Sequence, residues 1–366
     1  MSSPPLSPGA SLLHTPLHAA HAARGAKLVP FAGWSMPLDY GSILKEARAV
    51  RSSAGIFDVS HMARFWFRGP DAAAELDRAL GGATADQPVG KARYNLLLNE
   101  RGTILDDLIT YRTGPSEYFM VVNASNRERD RATLAARMQT TRLTDVTEDG
   151  GGILALQGPD SRQLLEQLSG QSGFCPRFLD LAQLPTPDLG PLFVARTGYT
   201  GEHGYELFVT PSQIQPVWER LLAAGAVAVG LGARDVLRLE AALPLYGHEI
   251  HEGVQPFEAG LGFAMKGWQT RDFVGAAALR AMPPSSRQLV GLRAEQRPPR
   301  EGYPVLCAGQ PVGLVCSGVW SAWLDQPIAT AYVRSDAQGE LSVDARGKNV
   351  PVQRVPLPFV SHRSRE

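Results

Sequence analysis

The chain has 366 residues, 44% of them apolar and 20% charged, and Lys+Arg and Asp+Glu cancel at 36 each. That is ample material for the cores of two or three domains, and it argues against extended disorder. The zero balance disfavours a dedicated nucleic-acid binder but leaves room for a local basic pocket. The three cysteines, Cys175, Cys307 and Cys316, have no metal-ligand spacing and form no even framework, which suits a reducing compartment and no metal. No apolar run reaches the roughly 18–20 residues that a membrane span needs, and the N-terminus lacks a basic segment followed by an apolar one. The expectation is a cytoplasmic protein bound to neither membrane nor nucleic acid.

In chain order, residues 1–14 are Ser/Pro-rich and read as a flexible tail. "HTPLHAAH" places His14, His18 and His21 beside it, and these read as solvated. In "GIFDVSHM", Asp58 and His61 stand near each other, and a lone histidine reads as structural. "DAAAELDRALGG" predicts a helix with Asp71 as its N-cap and Gly81 as its stop. Residues 92–125 predict three strands joined by turns at Asn99–Gly102 and Thr113–Ser116. An amphipathic helix, "NRERDRATLAARMQ", follows. "LFVARTGYTGEHGYELFV" predicts a hairpin with a glycine-rich loop, and "GARDVLRLEAALPLYG" a helix stopped near Pro244. After the Pro-rich residues 281–288 the chain alternates short strands with Gly/Pro turns, which predicts a small β-barrel over 285–362.

Within the second of the three strands, "RGTILDDLITYR" sets Asp106 beside Asp107. Strand parity puts them on opposite faces, Asp106 with Leu108 and Thr110, Asp107 with Ile109 and Tyr111. On that reading they cannot converge on one bond, which disfavours a glycosidase pair. Each must be satisfied or functional, because the faces are otherwise apolar. Two edge-strand acids remain the plain alternative. Tyr94 in the preceding strand and Tyr111 would flank a flat, polar, aromatic ligand.

Glu206 returns into the apolar "YELFV" and needs a partner; a carboxylate can accept two parallel hydrogen bonds from an amidine-like edge such as a pterin's. Arg234 and Arg238 lie four apart near a helix start, either in a surface ladder with Asp235 and Glu240 or aimed at an acidic ligand or Glu206. Asn123 ends a strand, where it caps the next helix or meets a ligand. No GxSxG elbow, phosphate loop or Rossmann glycine pattern is present.

Taken together, "FAGWSMPLDYGSILKEARAVRSSAGIFDVSHM", "GTILDDLITYR", "VVNASNRERD", "RTGYTGEHGYELFV", "GLGARDVLRLEAALPLYGHEI" and "CSGVWSAWLDQPIATAYV" resemble the aminomethyltransferase family, the T-protein of the glycine cleavage system. The resemblance runs from about Thr15 to Phe359. It implies an α+β fold of three subdomains in a ring around a central folate channel. Two interleaved subdomains would span 15–280, and the third is the barrel.

It also implies transfer of a one-carbon unit from an aminomethyl-loaded lipoylated carrier protein (the H-protein) to tetrahydrofolate. Ammonia and 5,10-methylenetetrahydrofolate are the products, and no metal takes part. The family's motifs carry the catalytic acid onto Asp107 and folate binding onto Glu206 and Arg234. Tyr94, Tyr111, Asn123 and Tyr199 become channel lining. A demethylase of small methylated sulfur or nitrogen compounds on the same scaffold is the alternative. A non-catalytic iron–sulfur maturation relative is disfavoured, because "KGWQTRDFVG" lacks the cysteine of the "KGCYxGQ" segment. The chain departs from the family pattern at Thr103, at Cys316, at "SAWLDQ" and in lacking a tyrosine after Phe359.

Overall fold

The computed structural model describes residues 11–364. Two sheets interleave in sequence. Strands Gly55–Asp58 and Gly152–Gln157 pair antiparallel with Leu154 opposite Asp58, and the 93 positions between them fold as a separate unit. That unit is a five-stranded sheet in the spatial order Lys91–Leu98, Ile104–Gly114, Glu117–Val122, Ala63–Arg68, Arg142–Asp145. The first three strands and both turns lie where the alternation of "ARYNLLLNERGTILDDLITYRTGPSEYFMVV" puts them. Phe65, Phe67, Leu97, Leu108 and Met120 pack one face against Leu76 and Leu134 of helices Ala72–Ala79 and Arg127–Arg137. Asp71 precedes the first helix without capping it; its carboxylate accepts from the Thr140 hydroxyl at 2.8 Å instead.

The second sheet has six strands: Leu181–Leu184, Leu192–Ala195, Gly204–Val209, Gly152–Gln157, Gly55–Asp58 and Val227–Ala228. It is covered on both faces, so its central strands are continuous apolar runs. Leu154, Leu156 and Leu207 face Leu165 and Trp218, beneath helices Ser161–Ser169 and Ile214–Ala223. Ile153 and Ala155 face Val50 and Leu237, beneath helices Ile43–Ser52 and Leu231–Glu240.

Six further strands, from Arg287–Ala294 to Asn349–Val355, close into the expected barrel. Helix Leu231–Glu240 bolts it to the rest. Arg238 donates to Ser317 Oγ and to Glu249, both at 2.8 Å, and Thr330 of the barrel also bonds Glu249. Glu240 accepts from Ser321 Oγ at 2.7 Å, from the Trp323 amide at 3.0 Å and from Arg51 at 2.8 Å; Arg51 also reaches Glu202 at 2.9 Å. The Arg51, Glu202 and Glu240 side chains are wholly buried, as paired and hydrogen-bonded charges can be. The surface-ladder reading of Arg238 and Glu240 therefore gives way. The helix is inside, and its charges tie three units together.

Two other readings change. Residues 1–10 of the expected tail lie outside the described residues, whereas Leu13–His14 form a strand parallel to Trp34–Asp39. His21 is not solvated: it is fully buried, bonded to Asp58 at 2.9 Å and to the Tyr40 hydroxyl at 2.8 Å. Apolar neighbours decide this. Trp218 packs edge-on at 5.2 Å between ring centroids, and no local pattern in "HTPLHAAH" announces a residue 197 positions away. The helix after "GARDVLRLE" ends at Glu240, ahead of Pro244, through Ala242 with φ +53°.

Candidate active site

The site is assembled where the five-stranded sheet, the six-stranded sheet and helix Leu231–Glu240 meet. From the first sheet come Asp107, Tyr94 and Tyr111. Leu96 stands opposite Asp107 and Tyr94 opposite Ile109, so Tyr94 and Asp107 share a face, and the Tyr94 hydroxyl donates to Asp107 Oδ2 at 3.0 Å. Phe263 stacks on Tyr94 from outside, with centroids 5.8 Å apart and planes 24° from parallel. Tyr111 is buried and its hydroxyl reaches Glu206 Oε2 at 3.3 Å.

From the second sheet comes Glu206, opposite Ala155 on one side and Ala195 on the other. Its carboxylate also accepts from Thr197 Oγ1 at 2.5 Å. The helix contributes Arg234 in its first turn, with its guanidinium 4.8 Å above the Tyr199 ring. Burial lowers the Arg234 proton affinity, and the nearby Glu206 and Tyr199 oppose that. Its Nη1 is buried with no protein hydrogen-bond partner among the described residues. Tyr199 donates to the Pro244 carbonyl. Its loop is tied down by the chain's end, where the Arg363 amide bonds Gly201 O and His362 Nε2 meets Ala241 O, both at 2.7 Å.

All seven positions singled out in the sequence are thus brought to one place. Of the two roles offered to Asn123, the side-chain cap is not made; its Nδ2 donates to Asp106 Oδ1 and Asp107 Oδ1, both at 2.8 Å, and its own amide donates to Asp106 Oδ2 at 3.2 Å. The two acids keep the opposite faces that parity gives them, since the ladder from Leu97 opposite Asp106 to Lys91 opposite Arg112 is regular and the register shift falls beyond it; one amide just past the end of strand Glu117–Val122 reaches both. His61, read as structural, lies close enough to Arg234 to feel its charge; burial, then Arg234, holds the His61 imidazole down at about 4, so it is neutral. No sequence signal linked the two.

The electrostatics single out Asp107. Burial, and secondly the charge of Asp106, push its carboxyl up to about 7. The hydrogen bonds from Tyr94 and Asn123 pull the other way without winning. A carboxyl raised in this way can both accept and return a proton near neutral pH.

The stability consequence has a definite sign. Between about pH 4 and pH 7 the folded chain holds a proton on Asp107 that an unfolded chain, with an ordinary carboxyl, has released. Stability from this group is therefore full at acid pH and lost as pH rises through 7. Three units correspond to about 4 kcal/mol, and the partial exposure of Asp107 reduces that to about 2. Asp107→Asn is expected to raise the melting temperature above pH 7 and to lose that advantage towards pH 4. Equal stabilisation at both pH values would contradict the assignment.

Comparison with known proteins is consistent along the whole chain. The glycine cleavage GCVT N-terminal domain matches residues 17–268, and the glycine cleavage T-protein C-terminal barrel domain matches 287–361. The chain belongs to the glycine cleavage T-protein, or aminomethyltransferase, family. An aminomethyltransferase of Thermus thermophilus is 46% identical, covering 94% of this chain and 98% of its own. One from Deinococcus deserti is 43% identical, covering 96% and 98%. The crystal structure of the glycine cleavage system aminomethyltransferase T from Bartonella henselae superposes with a TM-score of 0.89 at 35% identity, over 96% of this chain and 99% of that one. Family membership makes the chain an aminomethyltransferase, with the three-unit α+β fold and terminal barrel of its relatives.

Proposed function

We propose that this chain transfers the one-carbon unit of an aminomethyl group, carried on the lipoyl sulfur of an H-protein, to tetrahydrofolate in the cytoplasm. Asp107 is the acid–base group. The observation that carries this reading is geometric: the Asp107 carboxyl is held by Tyr94 and Asn123 in the same site as Glu206 and Arg234, whose Nη1 has no protein partner among the described residues.

The residues suit the substrate. Glu206 offers a carboxylate edge to the amino and ring N–H donors of a pterin, with Tyr111 and Thr197 fixing its orientation. Arg234 offers a donor to a ring oxygen or nitrogen, steadied by its place over Tyr199. Tyr94 and Phe263 make an aromatic wall beside Asp107.

The transfer replaces two bonds on one carbon. The two folate nitrogens displace ammonia and the lipoyl sulfur from the methylene. The two N–H protons that folate loses leave on ammonia and on the thiol, so nothing is oxidised or reduced. Asp107 carries such a proton. As carboxylate it accepts from the attacking nitrogen and balances the positive charge that develops there; as acid it returns the proton to a leaving group. The Tyr94 hydroxyl and the Asn123 amide keep its two oxygens aimed throughout.

The test is formation of 5,10-methylenetetrahydrofolate and ammonia from tetrahydrofolate and aminomethyl-loaded lipoyl carrier protein. Stoichiometric production of both is expected. Tight folate binding without either product would refute the proposed donor.

A further inference from the structure

Two stretches where the chain departs from the family pattern meet in space. One is the barrel turn "SAWLDQ", which joins strands Gln310–Ser321 and Gln326–Arg334; the other is the segment after Phe359. The Arg363 guanidinium lies over the Trp323 ring of that turn, 5.6 Å from its centroid, within range of a cation–π contact. Arg363 Nη1 also stands 3.6 Å from Glu202 Oε2 and donates to the Arg51 carbonyl at 3.5 Å.

The charge count gives Arg363 a task. Glu202 and Glu240 are both buried, and both are paired with the one guanidinium of Arg51. One negative charge is left over, and a buried charge without a counter-ion is costly. Glu202 Oε2 accepts no hydrogen bond among the described residues, and it is the oxygen that Arg363 faces. Arg363 therefore supplies the balancing charge. Its side chain is 36% exposed, so trimming it opens no core cavity.

The backbone repeats the tie. The Val360 amide donates to the Glu240 carbonyl at 2.8 Å, and the Arg363 and Ser364 amides donate to the Gly201 carbonyl at 2.7 and 3.2 Å. His362 Nε2 donates to the Ala241 carbonyl at 2.7 Å; a carbonyl only accepts, so Nε2 carries the proton. Glu240 and Ala241 end the helix whose first turn holds Arg234, and Gly201 lies two residues after Tyr199. Gly201 has φ +76°, and a Cβ on it would come within 2.8 Å of Ala241 Cβ, so the loop sits directly on the helix end.

We infer that residues 360–364 are a clasp over the Tyr199 loop, and that Arg363, anchored by Trp323 and Glu202, is a positioning residue for the pterin site. This deepens, and rests on, the assignment of Glu206, Arg234 and Tyr199 to folate. Arg363 acts through the loop rather than on the substrate. The clasp joins the two elements whose contact sets Arg234 over Tyr199, and the same loop starts at Thr197, which orients Glu206. With the clasp closed, folate meets a preformed site. With it lifted, only a fraction of chains have the loop in place, and the apparent Kd rises by the inverse of that fraction. Bound folate itself holds the loop down, so the saturated complex reacts as before.

Titration calorimetry with tetrahydrofolate, well below the melting temperature, tests this. Arg363→Ala is expected to weaken binding about 5- to 10-fold. Arg363→Lys keeps the charge beside Glu202 and should recover most of that loss. Trp323→Ala should weaken binding less, and adding it to Arg363→Ala should change little further, because both act on one contact. Where turnover is measured, KM for tetrahydrofolate should rise in Arg363→Ala and kcat should stay. Without folate, amide exchange over residues 199–203 should quicken in Arg363→Ala, and added folate should slow it again. A merely structural arginine would lower the melting temperature but leave folate affinity and local exchange unchanged, and that result would overturn the clasp. A loss in Arg363→Lys as large as in Arg363→Ala would overturn the role of its charge. Glu206→Ala separates this inference from the wider reading: if it weakens folate binding and Arg363→Ala does not, the clasp alone fails. If neither variant weakens binding, the pterin lies elsewhere and both assignments fall. Neither calorimetry nor amide exchange requires the aminomethyl donor.

Discussion

Asp107→Asn is expected to lower single-turnover formation of 5,10-methylenetetrahydrofolate by at least ~100-fold, the usual scale for losing a positioned acid–base group. Folate affinity should change little. The asparagine keeps the shape that Tyr94 and Asn123 hold, and the pterin edge is assigned to Glu206 and Arg234 on other elements. The loss should fall on the chemical step and persist at saturating folate. Near-wild-type turnover would remove Asp107 from the reaction; an equally large loss of folate affinity would move it from chemistry to binding. Asp106→Asn is the comparison variant: Asp106 is buried behind the site, so any effect of its loss should come through the charge and the Asn123 contact that Asp107 feels, and should be smaller than that of Asp107→Asn.

Glu206→Ala should weaken tetrahydrofolate binding roughly 10- to 100-fold, the range for losing charge-assisted hydrogen bonds to a buried edge. Three groups lose by it. The Tyr111 and Thr197 hydroxyls lose their acceptor, and Arg234 loses the carboxylate that offsets its burial. Glu206→Gln separates these effects: it keeps an acceptor oxygen for both hydroxyls while removing the charge. An affinity for Glu206→Gln midway between wild type and Glu206→Ala is expected by titration calorimetry. Unchanged affinity in both variants would place the pterin elsewhere.

The features legible in the sequence share one property: they depend on local pattern. The three strands around "ILDDLITYR" follow from period-two alternation between turn residues, and the barrel from short strands between Gly/Pro turns. The hairpin that carries Glu206 follows from two apolar runs around a glycine-rich loop. Parity also put Asp107 and Tyr111 on one face correctly, because the ladder from Asp106 to Arg112 is regular. Recognition of the family rested on motifs spread over the whole chain, and those motifs surround the same positions.

Where local pattern failed, the deciding partner was distant. His21 looked exposed because Asp58 and Trp218 lie 37 and 197 positions away. Arg238 and Glu240 looked like a surface ladder because the barrel residues Ser317 and Ser321 that bury them come some 80 positions later. Asn123 looked like a cap because its real partners lie across the sheet on another strand.

By itself, then, the sequence determined the kinds of element, their order, the family and the residue types capable of the chemistry, since each is written in composition and near-neighbour spacing. Tertiary structure alone decided which of those residues meet and what protonation state each one keeps. Proton affinity depends on water excluded by elements far apart in the chain, and on the charges that folding sets beside each carboxyl.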